Sequence, residues 1–400
     1  MTMHADASIP SIDIDVFGDD FLAAPYSRHD LLRGAGPLFW LSKYGVYGMA
    51  RHQEISATLK DWQTFISSRG VGLSDFSREK PWRPPSLLLE TDPPVHDRTR
   101  GIMKDIVSLS ALQELRPVWQ AEADALIDRV VGAGPLDAVA ELAQAFPLRV
   151  FPQIIGLPDE GRDNLLAYAM ATFNAFGPRN EIFLVSEAKA ASAAQWVAQA
   201  CERRNLKPDG WGMKVYAAAD AGRCTEEEAA RLVRSFLSAG VDTTVNGIGN
   251  MIHAFACNPA QWERLRERPA LLKRVFDEAL RWDSTVQTFF RTTSRDVEVA
   301  GSTVPEGSKI LLFLAAANRD PRKWPDPEKF DIERVASGHM GFGFGIHQCL
   351  GQMVARLEAE VILAAMLPKV REIRFAGDPV RLLNNTLHSL EALPVEFIAA

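Results

Sequence analysis

Apolar residues recur three and four positions apart along most of the chain, the spacing that gives an amphipathic helix its buried face. SALQELRPVWQAEADALIDRVV (110–131), DAVAELAQAFPLRVF (137–151), SEAKAASAAQWVAQACERR (186–204) and CLGQMVARLEAEVILAAML (349–367) all follow it and are predicted helices. A further periodic segment opens at a T-x-x-E capping box, Thr225 to Glu228, and runs to Asn258-Pro259, which predicts one very long helix. Strand-like patches are few: VEVAG (297–301), KILLFLA (309–315) and the ambiguous SLLLE (86–90). The predicted class is mainly α with small β-sheets. No linker-like stretch or internal repeat divides the 400 residues, so a single domain over 1–400 is expected.

Composition narrows the function only by exclusion. A formal charge of −7 opposes the general attraction that nucleic acid or an anionic membrane exploits. The start, MTMHADASIPSIDID, lacks a basic, then apolar, leader, and no run of roughly 18 apolar residues occurs, so a soluble cytoplasmic protein is expected. Cys201, Cys224, Cys257 and Cys349 form no CxxC pair and are too sparse for a disulfide framework. A zinc site built on His347 and Cys349 would need two more ligands from unrelated places.

Four patterns carry chemistry. In GFGFGIHQCLG (341–351), Cys349 stands just before a helix, where the dipole and free N–H groups favour a thiolate; Gly345 and Gly351 would admit a flat partner, with Phe342 available to pack on it. EALR sets Glu278 and Arg281 three apart, which alone is most often a surface ion pair. DPPVHDRTR (92–100) puts His96 and Arg100 on one helix face. SAGVDTT (238–244) interrupts the long helix with a glycine and places an acid, Asp242, beside a hydroxyl, Thr243. On residues alone these last two read first as a helix-face ion pair and a hydroxyl bonded to the carbonyl four back.

Together these stretches resemble the cytochrome P-450 family of haem-thiolate monooxygenases, whose F-G-x-G-x-H-x-C-x-G signature is met at Phe342, Gly343, Gly345, His347, Cys349 and Gly351. The resemblance extends over essentially the whole chain. It implies a triangular helical fold and haem b with Cys349 as axial ligand, the anionic sulfur favouring cleavage of dioxygen. It also implies haem propionates on His96, Arg100, Arg291 and His347, and a buried Glu278–Arg281–Arg334 cluster. Asp242 and Thr243 match the family's proton-delivering acid and alcohol, and Gly240 would let the helix open locally.

For the substrate, Ser235 and Ala239 share a helical stripe with Thr243 and should line a pocket; the loop 67–90 carries Arg83 and Ser86, donors suited to a carboxylate. RGVGLSDF, EKPWRPPSL, FNAFGP, SAGVDTTVNGIG and QTFFRTT resemble the branch that oxidises para-substituted benzoates such as 4-methoxybenzoate. That resemblance implies a carboxylate held by Arg83, Ser86, Arg234 and Ser235, and an apolar slot of Leu89, Phe173, Phe176, Ala239 and Phe289. Electrons would come from a [2Fe-2S] ferredoxin and its flavoprotein reductase, docking near Arg98, Lys104 and Arg356. Another small aromatic or terpenoid acid, or a haem-based sensor without turnover, are the rival readings.

Overall fold

The computed structural model describes residues 9–400. Helices dominate, and the main hydrophobic core lies where four of them meet: Leu109–Val130, Asp242–Cys257, Leu272–Trp282 and Gln352–Met366. The Asp242–Cys257 helix is buried on nearly every face, with Ile248, Met251, Ile252 and Phe255 fully enclosed. An all-round apolar helix is the expected signature of such a central position.

The single long helix expected over 225–258 is instead two, Glu226–Ala239 and Asp242–Cys257, parted at Gly240 and Val241. Its start is as anticipated: the Thr225 hydroxyl accepts from Glu228 N at 3.1 Å while Glu228 returns a carboxylate to Thr225 N at 2.9 Å. At the break, Thr244 N turns to Val241 O, and the Thr243 and Thr244 hydroxyls donate to the carbonyls of Ala239 and Gly240. Gly240 itself has an ordinary helical φ of −87°. Glycine is required there for space, because a Cβ would lie 2.3 Å from the Phe151 ring and 2.7 Å from Phe236 O.

The other predicted helices form with small shifts. The segment expected from 137 opens as a short strand, passes through a π-helical turn, Val139–Gln144, and becomes α-helical at Ala145. SLLLE forms turns, not a strand. KILLF is a central strand of a six-stranded sheet, and Val297–Val299 pairs with Ser302–Val304 as a hairpin.

In that larger sheet, Lys309–Phe313 runs antiparallel to Thr288–Thr293, with Arg291 opposite Ile310. Side chains alternate along a strand, so Phe289 and Arg291 share one face while Phe290 turns to the other, among Phe17, Phe39 and Phe313. One strand therefore delivers both an aromatic wall and a guanidinium to the same side. Among the described residues no helix is long and apolar enough to cross a membrane.

Candidate active site

The cysteine loop is shaped by two glycines that need positive φ, Gly343 at +66° and Gly345 at +70°. At Gly345 a Cβ would also sit 2.2 Å from Leu59 O, so the loop is pressed against the end of the His52–Lys60 helix. Gly351 has no such demand on it: φ is −82° and no protein atom lies within 4 Å of where a Cβ would project. Phe342 O accepts from Cys349 N at 2.8 Å, and Phe342 carries the Arg356 guanidinium 4.5 Å over its ring. One face of Phe342 is thus taken by a cation.

Cys349 has an exposed side chain, yet burial within the surrounding protein pushes its thiol up from the ordinary value. Both hold if the sulfur faces an interior recess. The backbone N–H groups of Gly351 and Gln352, with Arg100 and Arg356, pull the other way. A sulfur offered N–H groups is suited to stay anionic on binding a metal, since ligation itself removes the proton.

Around this sulfur the structure gathers the four basic residues named from sequence. The His96 and His347 rings stand 4.6 Å apart. Each is anchored through Nδ1, His96 to Asp97 at 2.9 Å and His347 to Leu88 O at 3.0 Å; the buried His96 Nε2 has no hydrogen-bond partner among the described residues, and His347 Nε2 faces the Asp92 carboxylate at 3.8 Å, beyond hydrogen-bond length. Arg100 spends one N–H on Gln348 O at 2.6 Å. Arg291, 4% exposed, bonds only its neighbour's carbonyl among the described residues, and burial pushes its pKa down to about 10 although Asp92 opposes this.

Buried donors without acceptors are costly unless an anion completes them. One orphaned imidazole nitrogen, a second held only by a long contact to Asp92, two under-used guanidiniums and one recessed sulfur form the set of groups for a flat, metal-bearing dianion. Haem fits it. No group of three or more His, Cys, Asp or Glu gathers to hold a metal among the described residues, which leaves the zinc arrangement without its ligands. Asp92, not singled out as a site residue from sequence, organises this region: its carboxylate accepts from Ser67 N and Ser68 N at 3.0 Å. Burial alone would raise its pKa, but His347 and these bonds bring it to about 2.

At the helix break, Asp242 is buried and desolvation raises its pKa to about 7, against the one opposing bond from Asn246 Nδ2 at 3.0 Å. Asn246 also donates to Asp242 O at 2.8 Å, fixing the carboxyl's orientation. No ion pair to Asp242 occurs among the described residues, so the helix-face salt bridge is not what holds it. Thr243 does make the bond to the carbonyl four back, to Ala239 O at 2.7 Å. That bond spends the hydroxyl proton and leaves both lone pairs free to accept. Ala239 is exposed although Leu237 and Val241 on either side are buried, so the break opens a small apolar surface.

Four of the five expected slot residues come together, while Ala239 is not among the residues packed in that cluster. Phe173 and Phe176 meet edge to face at 5.9 Å, Phe176 and Phe289 at 5.6 Å, and Leu89 packs on the same cluster. Val71, Val286 and Leu387 complete it, residues that periodicity could not assign because each comes from a different loop or bridge.

The carboxylate donors differ from expectation. Arg83 already pairs with Glu90 at 3.1 Å, and Glu90 also takes Ser86 N at 2.7 Å; Ser86 Oγ accepts from Leu88 N and Leu89 N. Arg234, expected at the rim, is half-buried and donates to Pro84 O at 2.8 Å, while Ser235 Oγ donates to Arg231 O. Arg234, together with Arg231, which donates to Pro85 O at 2.8 Å, ties the Pro84–Pro85 turn to the Glu226–Ala239 helix. Arg83 and Arg234 keep unspent N–H groups, since each guanidinium carries five, whereas the single O–H of Ser235 is spent on Arg231 O.

The Glu278–Arg281 pair is fully buried, and all five guanidinium N–H groups are used: on Glu278 at 2.7 and 2.8 Å, and on the carbonyls of Asn318, Pro327 and Lys329. Arg334 joins Glu278 at 3.3 Å. Of the proposed docking residues, Arg98 is paired with Glu228 and Arg356 with Asp277, so the basic patch is weaker than its sequence suggested. Lys104 is exposed, with no ion pair among the described residues.

Comparison with known proteins places this geometry. The family model "Cytochrome P450" matches residues 212–374. The protein named cytochrome p450 CYP199A2, from Rhodopseudomonas palustris, is 52% identical over 395 residues, covering 98% of this chain and 96% of its own. Cytochrome P450 107B1 of Saccharopolyspora erythraea is 33% identical across 96% of this chain and 97% of its own. Among solved structures, CYP109E1 from Bacillus megaterium in complex with testosterone superposes with a TM-score of 0.84 at 25% identity, covering 95% of this chain and 99% of that one.

Proposed function

This chain belongs to the cytochrome P450 family and is a haem-thiolate monooxygenase, and from that premise we propose that its substrate is a small aromatic carboxylate, a para-substituted benzoic acid such as 4-methoxybenzoate. The observation that carries this reading is one juxtaposition. A slot in which Phe176 meets both Phe173 and Phe289 edge to face adjoins, through Leu89 and Glu90, a turn beside Arg83, Ser86, Arg234 and Ser235.

Haem held by Cys349 supplies dioxygen activation and one-electron chemistry. The chain's own residues do the rest. His96, Arg100, Arg291 and His347 bind the propionates, their unspent N–H groups neutralising two negative charges in a buried place. Phe173, Phe176 and Phe289 hold the ring by edge-to-face contact and exclude water from it. The unspent N–H groups of Arg83 and Arg234 and the Ser86 hydroxyl take the carboxylate, Ser235 joining them by turning its O–H away from Arg231 O, and keep it away from the metal, so the para substituent is the part presented. Position then decides which C–H bond reacts.

Asp242 holds and releases protons. A carboxyl whose pKa stands at about 7 is close to equally ready to give and to take one at neutral pH. Thr243, with its lone pairs free, accepts a hydrogen bond on the site side and steadies the water through which the proton passes. For 4-methoxybenzoate, hydroxylation of the methyl group gives a hemiacetal that collapses to 4-hydroxybenzoate and formaldehyde. Electrons come from a [2Fe-2S] ferredoxin and its flavoprotein reductase, with Lys104 a cation of the docking face that has no ion pair among the described residues.

Reconstituted turnover tests the reading. The protein with a ferredoxin system should release 4-hydroxybenzoate and formaldehyde in equal amounts. Thr243→Ala should bind the acid as before but divert most electrons to peroxide. Product formation that stays fully coupled in that variant would remove Thr243 from proton delivery; no product from any para-substituted benzoate would remove the substrate class.

A further inference from the structure

The aromatic walls of the slot come from two elements far apart in the chain. Phe173 and Phe176 stand at the end of the Asn164–Asn174 helix and in the turn after it, and Phe289 stands on the Thr288–Thr293 strand. Their separation is the width of the slot, and a third segment, residues 384–388, is bonded to both.

Toward the strand, Gln287 N donates to Thr386 O and His388 N to Thr285 O, each at 2.8 Å, on either side of a bridge between Val286 and Leu387. Toward the helix end, the Thr386 hydroxyl donates to Phe173 O and Asn385 N to Asn174 Oδ1, both at 2.9 Å. Asn384 Oδ1 accepts from Thr386 N and Leu387 N at 2.9 Å and holds the bend of the segment itself. Leu387, at the centre of these bonds, packs in the same cluster as the three rings.

Asn385 carries most of the connection. Its Nδ2 donates to Asn174 O at 2.9 Å and to Asn180 Oδ1 at 3.0 Å, while its Oδ1 accepts from Asn180 Nδ2 at 2.8 Å. The amides of Asn180 and Asn385 thus pair reciprocally, and both amide hydrogens of Asn385 are spent. The bonds bracket Phe176: Asn174 precedes it, and Asn180 follows as the N-cap of the Glu181–Ala200 helix, accepting from Phe183 N at 3.1 Å. Between them the backbone at Gly177 presses on the Asn385 stem, where a Cβ would lie 2.5 Å from Asn385 Cβ. Asn174, Asn385 and Thr386 are buried, so the turn cannot slide along the segment without stranding polar groups away from water.

We propose that Asn385 is a positioning residue that sets the width of the slot, and through it the preference for a para over a meta substituent. The proposal rests on the substrate reading above. Asn385 acts through Phe173, Phe176 and Leu387, not by touching the acid. A narrow slot accepts a ring substituted along its long axis. A meta substituent broadens the outline of the ring across that axis and has to push the phenylalanines apart.

Titration of the ferric protein with 4-methoxybenzoate and with 3-methoxybenzoate, followed through the haem absorption, gives two dissociation constants whose ratio does not depend on how much of the sample is folded. In the unmodified protein the para isomer should bind about tenfold more tightly. Asn385→Ala should lower that ratio about fivefold, mainly by admitting the meta isomer. A residue that only stabilised the fold would leave the ratio where it was. Asn180→Ser keeps an oxygen for Phe183 N but loses its half of the amide pair, and should lower the ratio about twofold. It carries the test alone if Asn385→Ala fails to take up haem. A ratio near one in the unmodified protein, or one that the variants leave unmoved, overturns the positioning role while the substrate stands. No spectral response of the unmodified protein to any benzoate overturns both.

Discussion

Asp242 shows how one buried side chain ties function to stability. Desolvation holds its carboxyl protonated up to about pH 7, whereas in the unfolded chain it ionises near 3.9. As pH rises through that window the unfolded state loses its proton first, so the native protein is progressively destabilised, and the loss is complete above the folded pKa. The span of about three pH units corresponds to roughly 4 kcal/mol. Asp242→Asn keeps the acceptor that Asn246 uses and removes the titration. Urea midpoints of the two ferric proteins should therefore diverge between pH 5 and pH 8, with the variant gaining at the higher pH. Parallel midpoints would show that Asp242 titrates normally. Sequence made the acid and its alcohol legible because they are adjacent in a helix-breaking motif. It could not show Asn246, whose role depends on one rotamer, nor Glu90, which meets Arg83 only after a turn folds back.

Among the elements, the break between Glu226–Ala239 and Asp242–Cys257 is the one that matters most for the site. The capping box and the apolar period were plain in the chain, and both are met. The interruption was foreshadowed by Gly240 and two threonines, but its cause is tertiary: the Phe151 ring from a different helix occupies the space a side chain would need. Local propensity cannot register a neighbour that arrives from 90 positions away. Gly240→Ala should accordingly cost about 1–3 kcal/mol through overpacking, read as a lowered thermal midpoint, and Phe151→Leu in the same protein should recover part of it. An unshifted midpoint in Gly240→Ala would mean the break is set by the threonine hydroxyls instead. The strand Thr288–Thr293 was not among the patches read as strand, yet its alternation is what sends Phe289 and Arg291 to one side.

On the scale of the whole molecule, the resemblance carried by the cysteine loop anticipated the fold, and the buried Glu278–Arg281 pair and the facing His96 and His347 rings come from stretches it singled out. Sheet order was not legible, since pairing Val46–Met49 with Lys309–Phe313 is a contact between distant segments with no trace in either strand's composition. The electron-donor face was over-read for a related reason: the net charge of a patch depends on which carboxylates fold beside it, and Glu228 and Asp277 cancel two of its three cations. The substrate is where fold and residues must be tested together. The most direct measurement is titration of the ferric protein with 4-methoxybenzoate and, in parallel, with its methyl ester, following the Soret band. The account predicts a shift from low-spin to high-spin iron with the acid, and binding at least tenfold weaker for the ester, which keeps the ring and loses the charge. Equal binding of acid and ester would contradict the carboxylate anchor, and a band that neither ligand moves would contradict the substrate class.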